Sequence, residues 1–144
     1  MPLEVLLVED SPGDVRLMRE ILRDSNSLIR LNVASDGVEA MAFLRRSGDQ
    51  PNAPRPDLIL LDLNLPRMDG REVLAQIKDD KGLKSIPTVV LTTSAAEADI
   101  AKSYELHANC YMSKPVQLEA FEGLVKSIND FWLTQVKLPP QMPN

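Results

Sequence analysis

Polar side chains that could act together follow four short, largely apolar segments of the sequence. The segments are residues 5–8, 58–61, 88–91 and 110–112. The side chains that follow them are, in order, Glu9 and Asp10, Asp62, Thr92, and Lys114. Carboxylates, a hydroxyl and a lysine are together the groups of a phosphoryl-transfer site. In such a site Asp62 would be the nucleophile, and it would form an aspartyl phosphate.

Three carboxylates in one crevice repel one another unless a positive charge lies among them. Lys114 is one candidate for that charge, and a divalent cation is the other. Oxygen ligands without a nearby histidine or cysteine favour a hard cation, and few protein ligands with remaining waters favour Mg²⁺ over Ca²⁺. The cation and Lys114 would neutralise the transferring phosphoryl oxygens, and the Thr92 hydroxyl would donate a hydrogen bond to one of them.

These side chains converge only if the apolar segments are neighbouring parallel strands. Residues 58–61 lie between Pro56 and downstream turn residues, which predicts a buried strand rather than a helix. Strands that alternate five times with helices predict an α/β fold, in which a parallel sheet carries helices on both faces. The carboxyl ends of its strands then meet at the switch point of the sheet. Residues 29–34 alternate in polarity and predict a more exposed strand at an edge.

Helical patterns separate the predicted strands. Ser11 can cap the first helix, Pro12 suits its first position, and Asp14 lies three residues after the cap. The later patterns begin after Asp36 and after Asp69-Gly70, span residues 96–106, and extend from Leu118 to Trp132. On the second helix, Val38, Met41 and Leu44 are predicted to form the buried side.

The composition limits the classes of function. The 144 residues suit one domain, and a net charge of −5 disfavours nucleic acid and anionic lipid as direct partners. No apolar run approaches the roughly 20 residues that a membrane span needs. The N-terminus lacks the pattern of a signal peptide. A single cysteine, Cys110, excludes an internal disulfide and predicts a reducing, cytoplasmic location.

The strand-end residues resemble the receiver domain of two-component response regulators. The match lies in Glu9-Asp10, Asp62, Thr92 and Lys114-Pro115, and in the segment from Leu63 to Gly70 that follows Asp62. The resemblance covers residues 5–128 and implies a flavodoxin-like, doubly wound sheet of five parallel strands in the order 2-1-3-4-5, with five helices. It implies a receiver domain over residues 1–133 and a proline-containing tail over residues 134–144. It also implies a phosphoacceptor signalling protein rather than an enzyme.

The resemblance implies a role for each acidic residue. Asp62 would accept a phosphoryl group from the phosphohistidine of a sensor histidine kinase. Asp10, Asp62 and the backbone carbonyl of Asn64 would ligate Mg²⁺. Glu9 would contribute to the metal site directly or through water.

It also implies how the signal leaves the site. Thr92 and Lys114 would contact the phosphoryl group, and Tyr111 would be the switch aromatic that turns inward when Thr92 moves toward the phosphate. Thr93 stands where the family usually has a smaller residue, which would change access to the site and the lifetime of the phosphate.

Three further segments resemble the stand-alone response regulators of cyanobacterial phytochromes. They are residues 52–56, residues 104–107 and residues 131–133. This resemblance implies a phytochrome as the histidine kinase. No output domain follows in the sequence, so we expect the signal to pass to a downstream protein through contact.

The apolar stripe of the last helix extends beyond what a receiver domain needs. We therefore expect a weak homodimer, with Tyr111, Phe131 and Trp132 in its interface. The alternative is that Phe131 and Trp132 pack back on their own domain.

These residues also have simpler interpretations, and two other classes of protein use similar ones. Asp62 alone could be a cap or turn aspartate, and Glu9 and Asp10 alone could be solvated turn acids. A dehalogenase-type phosphatase needs a second acid two residues after its aspartate, where this chain has Asn64. A nucleotide-binding domain would have a glycine-rich turn after the first strand, which is missing here. The main rival is a receiver-shaped adaptor that binds its partner independently of phosphorylation.

Overall fold

A parallel α/β architecture is present in the computed structural model, which describes residues 2–24, 28–63, 65–92, 110–114 and 116–131. At Thr92, Cys110, Tyr111, Ser113 and residues 128–131 it describes the backbone only. The strands are β1 (Leu3–Val8), β2 (Ile29–Ala34), β3 (Leu58–Asp62), β4 (Thr88–Thr92) and β5 (Cys110–Ser113). The helices in the described part are α1 (Pro12–Asp24), α2 (Gly37–Arg45), α3 (Gly70–Asp79) and α4 (Leu118–Phe131).

All neighbouring strands run parallel, in the order β2-β1-β3-β4-β5. The predicted parallel sheet and the edge position of β2 are therefore confirmed. The helix predicted over residues 96–106 lies outside the described residues, as does the tail over residues 134–144. No helix in the described ranges has the length and apolar character to cross a bilayer.

Side chains of the central strands alternate between two cores, one on each face of the sheet. Leu6 and Leu61 lie in the core that α2 and α3 cover. Leu7 and Leu60 lie in the core that α1 and α4 cover. All four are fully buried, as expected for the inner strands of a sheet covered on both faces. These two cores hold the strand ends in fixed positions.

Polar caps set the starts of three helices. The Ser11 hydroxyl accepts a hydrogen bond from the Asp14 amide at 3.3 Å, and Pro12 is the first residue of α1. The Asp36 carboxylate accepts from the Glu39 amide at 2.8 Å at the start of α2. The Asp69 carboxylate accepts from the Arg71 amide at 2.7 Å at the start of α3. The predicted starts of these helices are confirmed.

The predicted buried side of α2 is wrong at one position. Val38 is 43% exposed, whereas Met41 and Leu44 are buried as predicted. The reason lies at Gly37, which is itself buried at the helix start. A Cβ atom there would lie 2.2 Å from the Met68 carbonyl oxygen, so this close approach turns Gly37 inward and Val38 outward.

Candidate phosphoryl-transfer site

The register of the sheet brings the strand ends to one edge. Val8 of β1 is paired with Leu61 of β3, so Glu9 and Asp62 occupy adjacent positions at the ends of neighbouring strands. Thr92 is paired with Ser113, which is followed by Lys114. Since the order β2-β1-β3 places the switch point between β1 and β3, the crevice opens beside Glu9 and Asp62.

The ammonium group of Lys114 joins three carboxylates. Its Nζ lies 2.8 Å from Glu9 Oε1, 3.0 Å from Asp62 Oδ2 and 2.9 Å from Asp14 Oδ2. Glu9 is 2% exposed and Asp62 is 5% exposed. An ammonium has three N–H donors, which matches the three acceptors it meets here. The predicted convergence of Glu9, Asp62 and Lys114 is therefore present in the structure.

Asp14 is a member of this group that sequence reasoning missed. The sequence places Asp14 only in the first turn of α1, but its carboxylate forms an ion pair with Lys114. Just before the same helix, the Ser11 amide donates a hydrogen bond to Glu9 Oε2 at 3.3 Å. The signal available in the sequence was proximity, because α1 begins four residues after β1 ends and its first turn faces the same crevice.

Among the described residues, one group of three acids could hold a metal ion. Carboxylate oxygens of Glu9, Asp10 and Asp62 lie within 4.8 Å of one another. Asp10 is exposed, whereas Glu9 and Asp62 are buried. A set of oxygen donors with one side open to water fits a hard, partly hydrated cation such as Mg²⁺.

Burial and charge set the protonation of the site. Burial, with the neighbouring Asp62 carboxylate, raises the pKa of Glu9 from 4.5 to about 7, although Lys114 opposes this shift. Burial tends to lower the pKa of Lys114, but hydrogen bonds to Glu9, Asp14 and Asp62 outweigh it and raise that pKa above its usual range. At neutral pH Lys114 is therefore charged, while Glu9 is partly protonated in the metal-free protein.

The stability of the metal-free protein should reflect the raised pKa of Glu9. Between pH values of about 4.5 and about 7, Glu9 holds a proton in the folded state that it has lost in the unfolded state. The contribution of Glu9 to stability is then largest at low pH and declines as the pH rises through this window. Urea unfolding of the wild type and Glu9→Gln at several pH values checks this. We expect their stability difference to change between pH 5 and pH 7, and a constant difference would contradict it.

Other predicted site residues are placed only in part. The backbone puts Thr92 at the end of β4 and Tyr111 within β5, paired with Val90. Phe131 is the last residue of α4. Asn64 and Trp132 lie outside the described residues. The roles predicted for the side chains of Thr92, Tyr111, Phe131 and Trp132, and for the Asn64 carbonyl, stay predictions.

Comparisons with known proteins agree with this arrangement. Residues 5–126 match the response regulator receiver domain family. The response regulator Rcp1 of Synechocystis sp. is 54% identical over 138 residues, which are 96% of this chain and 94% of that protein. A crystal structure of the phosphorylated cyanobacterial phytochrome response regulator RcpA is 52% identical, with a TM-score of 0.78 over 93% of this chain and 96% of that one. The Mn²⁺-bound form of Rcp1 is 53% identical, with a TM-score of 0.76 over the same shares.

The chain belongs to the response regulator receiver domain family. It is a signalling protein of the two-component class, homologous to the phytochrome response regulators Rcp1 and RcpA. The resemblance inferred from the strand-end residues is therefore confirmed.

Proposed function

We propose that Asp62 accepts a phosphoryl group from the phosphohistidine of a sensor histidine kinase. The observation that carries this proposal is the position of Asp62, buried at a strand end and bound through Oδ2 to the Lys114 ammonium. In the transfer, one carboxylate oxygen of Asp62 forms a bond to phosphorus. The bond between phosphorus and the histidine nitrogen breaks, and that nitrogen keeps the electron pair.

Lys114 has two functions in this proposal. Before transfer its positive charge compensates the negative charges of the Glu9, Asp14 and Asp62 carboxylates. During transfer the same ammonium can donate to a phosphoryl oxygen, because Asp62 Oδ2 lies only 3.0 Å from Nζ. The Thr92 hydroxyl is proposed to donate to another phosphoryl oxygen, and Tyr111 is proposed to follow Thr92 as the switch residue.

Mg²⁺ is the cation that we propose for the acidic group. Asp10, Asp62 and the carbonyl of Asn64 would hold it, with Glu9 acting directly or through water. When bound, it would supply positive charge to the phosphoryl oxygens and compensate the repulsion among the acids. The donor set supports this, as does the Mn²⁺-bound form of the relative Rcp1.

A single substitution can show whether Asp10 is a metal ligand or a structural residue. Asp10→Asn should weaken Mg²⁺ binding by at least about tenfold, because it removes an ionised ligand. The same change should leave the metal-free protein no less stable, because it relieves repulsion at an exposed position. Calorimetric titration with Mg²⁺ and thermal unfolding without it check both points. A clear drop in the metal-free midpoint would show that Asp10 is structural.

The proposal is tested by phosphotransfer. A sensor histidine kinase carrying labelled phosphohistidine, for which a phytochrome is the first choice, is mixed with the protein in Mg²⁺ or in EDTA. Rapid transfer only in Mg²⁺ would support the proposal. Binding to the kinase without transfer would favour the alternative, a receiver-shaped adaptor that acts independently of phosphorylation and hands the signal to a downstream protein.

We also propose a homodimer through the face formed by β5, α4 and the helix predicted over residues 96–106, with Tyr111, Phe131 and Trp132 in the interface. Burying one such aromatic contributes on the order of 2 kcal/mol, and a twofold contact uses each residue twice. Trp132→Ala should therefore weaken association by at least about tenfold in sedimentation equilibrium. A wild type that is monomeric at every concentration, phosphorylated or not, would contradict the dimer.

We propose that residues 1–133 form the complete flavodoxin-like fold with five helices, followed by the tail over residues 134–144. The cytoplasmic location predicted from Cys110 stays a prediction.

A further inference from the structure

The loop between Asp62 and α3 contains a residue in an unfavourable backbone conformation. Arg67 has φ of 65°, in the left-handed region that favours glycine. For a residue with a Cβ this conformation is unfavourable, because the Cβ comes too close to the following carbonyl oxygen. Glycine would be less strained than arginine at this position. The contacts of the Arg67 side chain offer a reason for the arginine.

The Arg67 guanidinium binds the residue that caps α2. Its Nε lies 3.1 Å from Asp36 Oδ2, and its Nη2 lies 3.3 Å from Asp36 Oδ1. This is a two-pronged contact, which fixes orientation better than a single bond does. Asp36 is itself immobilised, because its Oδ1 also accepts from the Glu39 amide at 2.8 Å. The pair thus attaches the loop to the start of α2.

A second set of contacts continues from this attachment to Asp62. Next to Arg67, Met68 packs against the core, with its carbonyl oxygen so close to Gly37 that any Cβ there would clash. At the end of the loop, the Gly70 amide donates to the Leu63 carbonyl at 3.0 Å. A Cβ on Gly70 would lie 2.3 Å from the Asp62 carbonyl oxygen. Contacts therefore run from α2 through the loop to the backbone of Asp62.

We propose that the Asp36–Arg67 pair is a clamp that positions the loop after Asp62 for metal binding and phosphorylation. Arg67 and Asp36 are positioning residues in this inference, which rests on the function proposed above. The loop includes Asn64, whose carbonyl is proposed as a metal ligand. Mg²⁺ demands near-ideal octahedral geometry, so a looser loop should bind it more weakly.

A purely structural ion pair is the competing explanation. The Arg67 side chain is 59% exposed, and exposed pairs typically add little to global stability. Thermal unfolding alone therefore cannot distinguish the clamp from a surface pair. Local readouts at the loop and at the metal can do so.

Two single variants and their combination test the clamp. Asp36→Asn removes the charge but keeps a good helix cap, since Asn and Asp cap equally well. Arg67→Gly removes the side chain and relieves the backbone. In the metal-free protein we expect the amides of residues 65 and 67–70 to exchange about two- to fivefold faster in either variant, and Mg²⁺ to bind about two- to fivefold more weakly. The double variant should resemble either single variant, because both break one contact.

Arg30→Gln is the matched control, because it breaks an exposed arginine–carboxylate pair with Glu4 at 2.8 Å, away from the loop. It should change neither readout. Unchanged loop exchange and unchanged Mg²⁺ affinity in Asp36→Asn and Arg67→Gly would overturn the clamp. If the wild type itself binds no Mg²⁺, the proposed function fails instead, whereas faster exchange in the metal-free variants would still support the clamp.

Discussion

Phosphotransfer to Asp62→Asn should fall by at least about a thousandfold, because the variant lacks the oxygen nucleophile that forms the acyl phosphate. The fold should persist, since the amide is nearly isosteric with the carboxylate. The substitution also leaves Glu9 as the one buried carboxylate of this pair beside Lys114, which removes the repulsion between Glu9 and Asp62. The loss of phosphorylation should therefore come without a loss of structure.

The measurement is the transfer rate from a phosphorylated histidine kinase, with thermal unfolding alongside it. Asp69→Asn is the matched control, because it makes the same chemical change at the cap of α3, where Asn serves as well as Asp. It should be phosphorylated at close to the wild-type rate. Transfer to Asp62→Asn at that rate would exclude Asp62 as the acceptor.

Lys114→Met should destabilise the metal-free protein by about 2–4 kcal/mol at pH 8, because it breaks a buried ion-pair group. The variant keeps a flexible apolar stem but leaves Glu9, Asp14 and Asp62 without their shared ammonium. Removing one partner from a buried ion pair costs about 3–5 kcal/mol, and proton uptake by Glu9 reduces that cost. Because burial already raises the pKa of Glu9 to about 7, the destabilisation should shrink as the pH falls to about 5.

Chemical unfolding at pH 8 and pH 5 measures this effect, and saturating Mg²⁺ should recover part of the stability. Lys81→Met, at an exposed position beyond α3, provides the control and should change stability little. Phosphotransfer to Lys114→Met should also drop by about a hundredfold or more, since a charged donor to the phosphoryl group is lost. If Lys114→Met were as stable as the wild type at pH 8, the fold would not depend on the Lys114 charge to compensate the three carboxylates.

Much of the fold could be predicted because its local signals agree with the tertiary structure. Apolar segments bounded by turn residues became the strands, and Ser11, Asp36 and Asp69 became the caps of helices. The convergence of Glu9, Asp62 and Lys114 followed from a general property of parallel sheets, whose strand ends share one edge.

The features that could not be predicted depend on contacts between distant segments. Asp14 joins Lys114 across 100 positions of sequence, and its helical location gave it a sufficient local explanation. The exposure of Val38 depends on how closely Gly37 approaches Met68, which no periodicity encodes. The pair of Arg67 with Asp36 is formed by a residue with a left-handed backbone, where sequence alone would suggest a simple turn.

The most direct test of the proposed function is to map the phosphoryl group. The wild type is phosphorylated by a histidine kinase in Mg²⁺, and its peptides are analysed by mass spectrometry after acid and after base. We predict one phosphoryl group per chain, acid-stable and base-labile, on the peptide that contains Asp62. A phosphoryl group on any other residue, or one that persists in Asp62→Asn, would contradict the assignment.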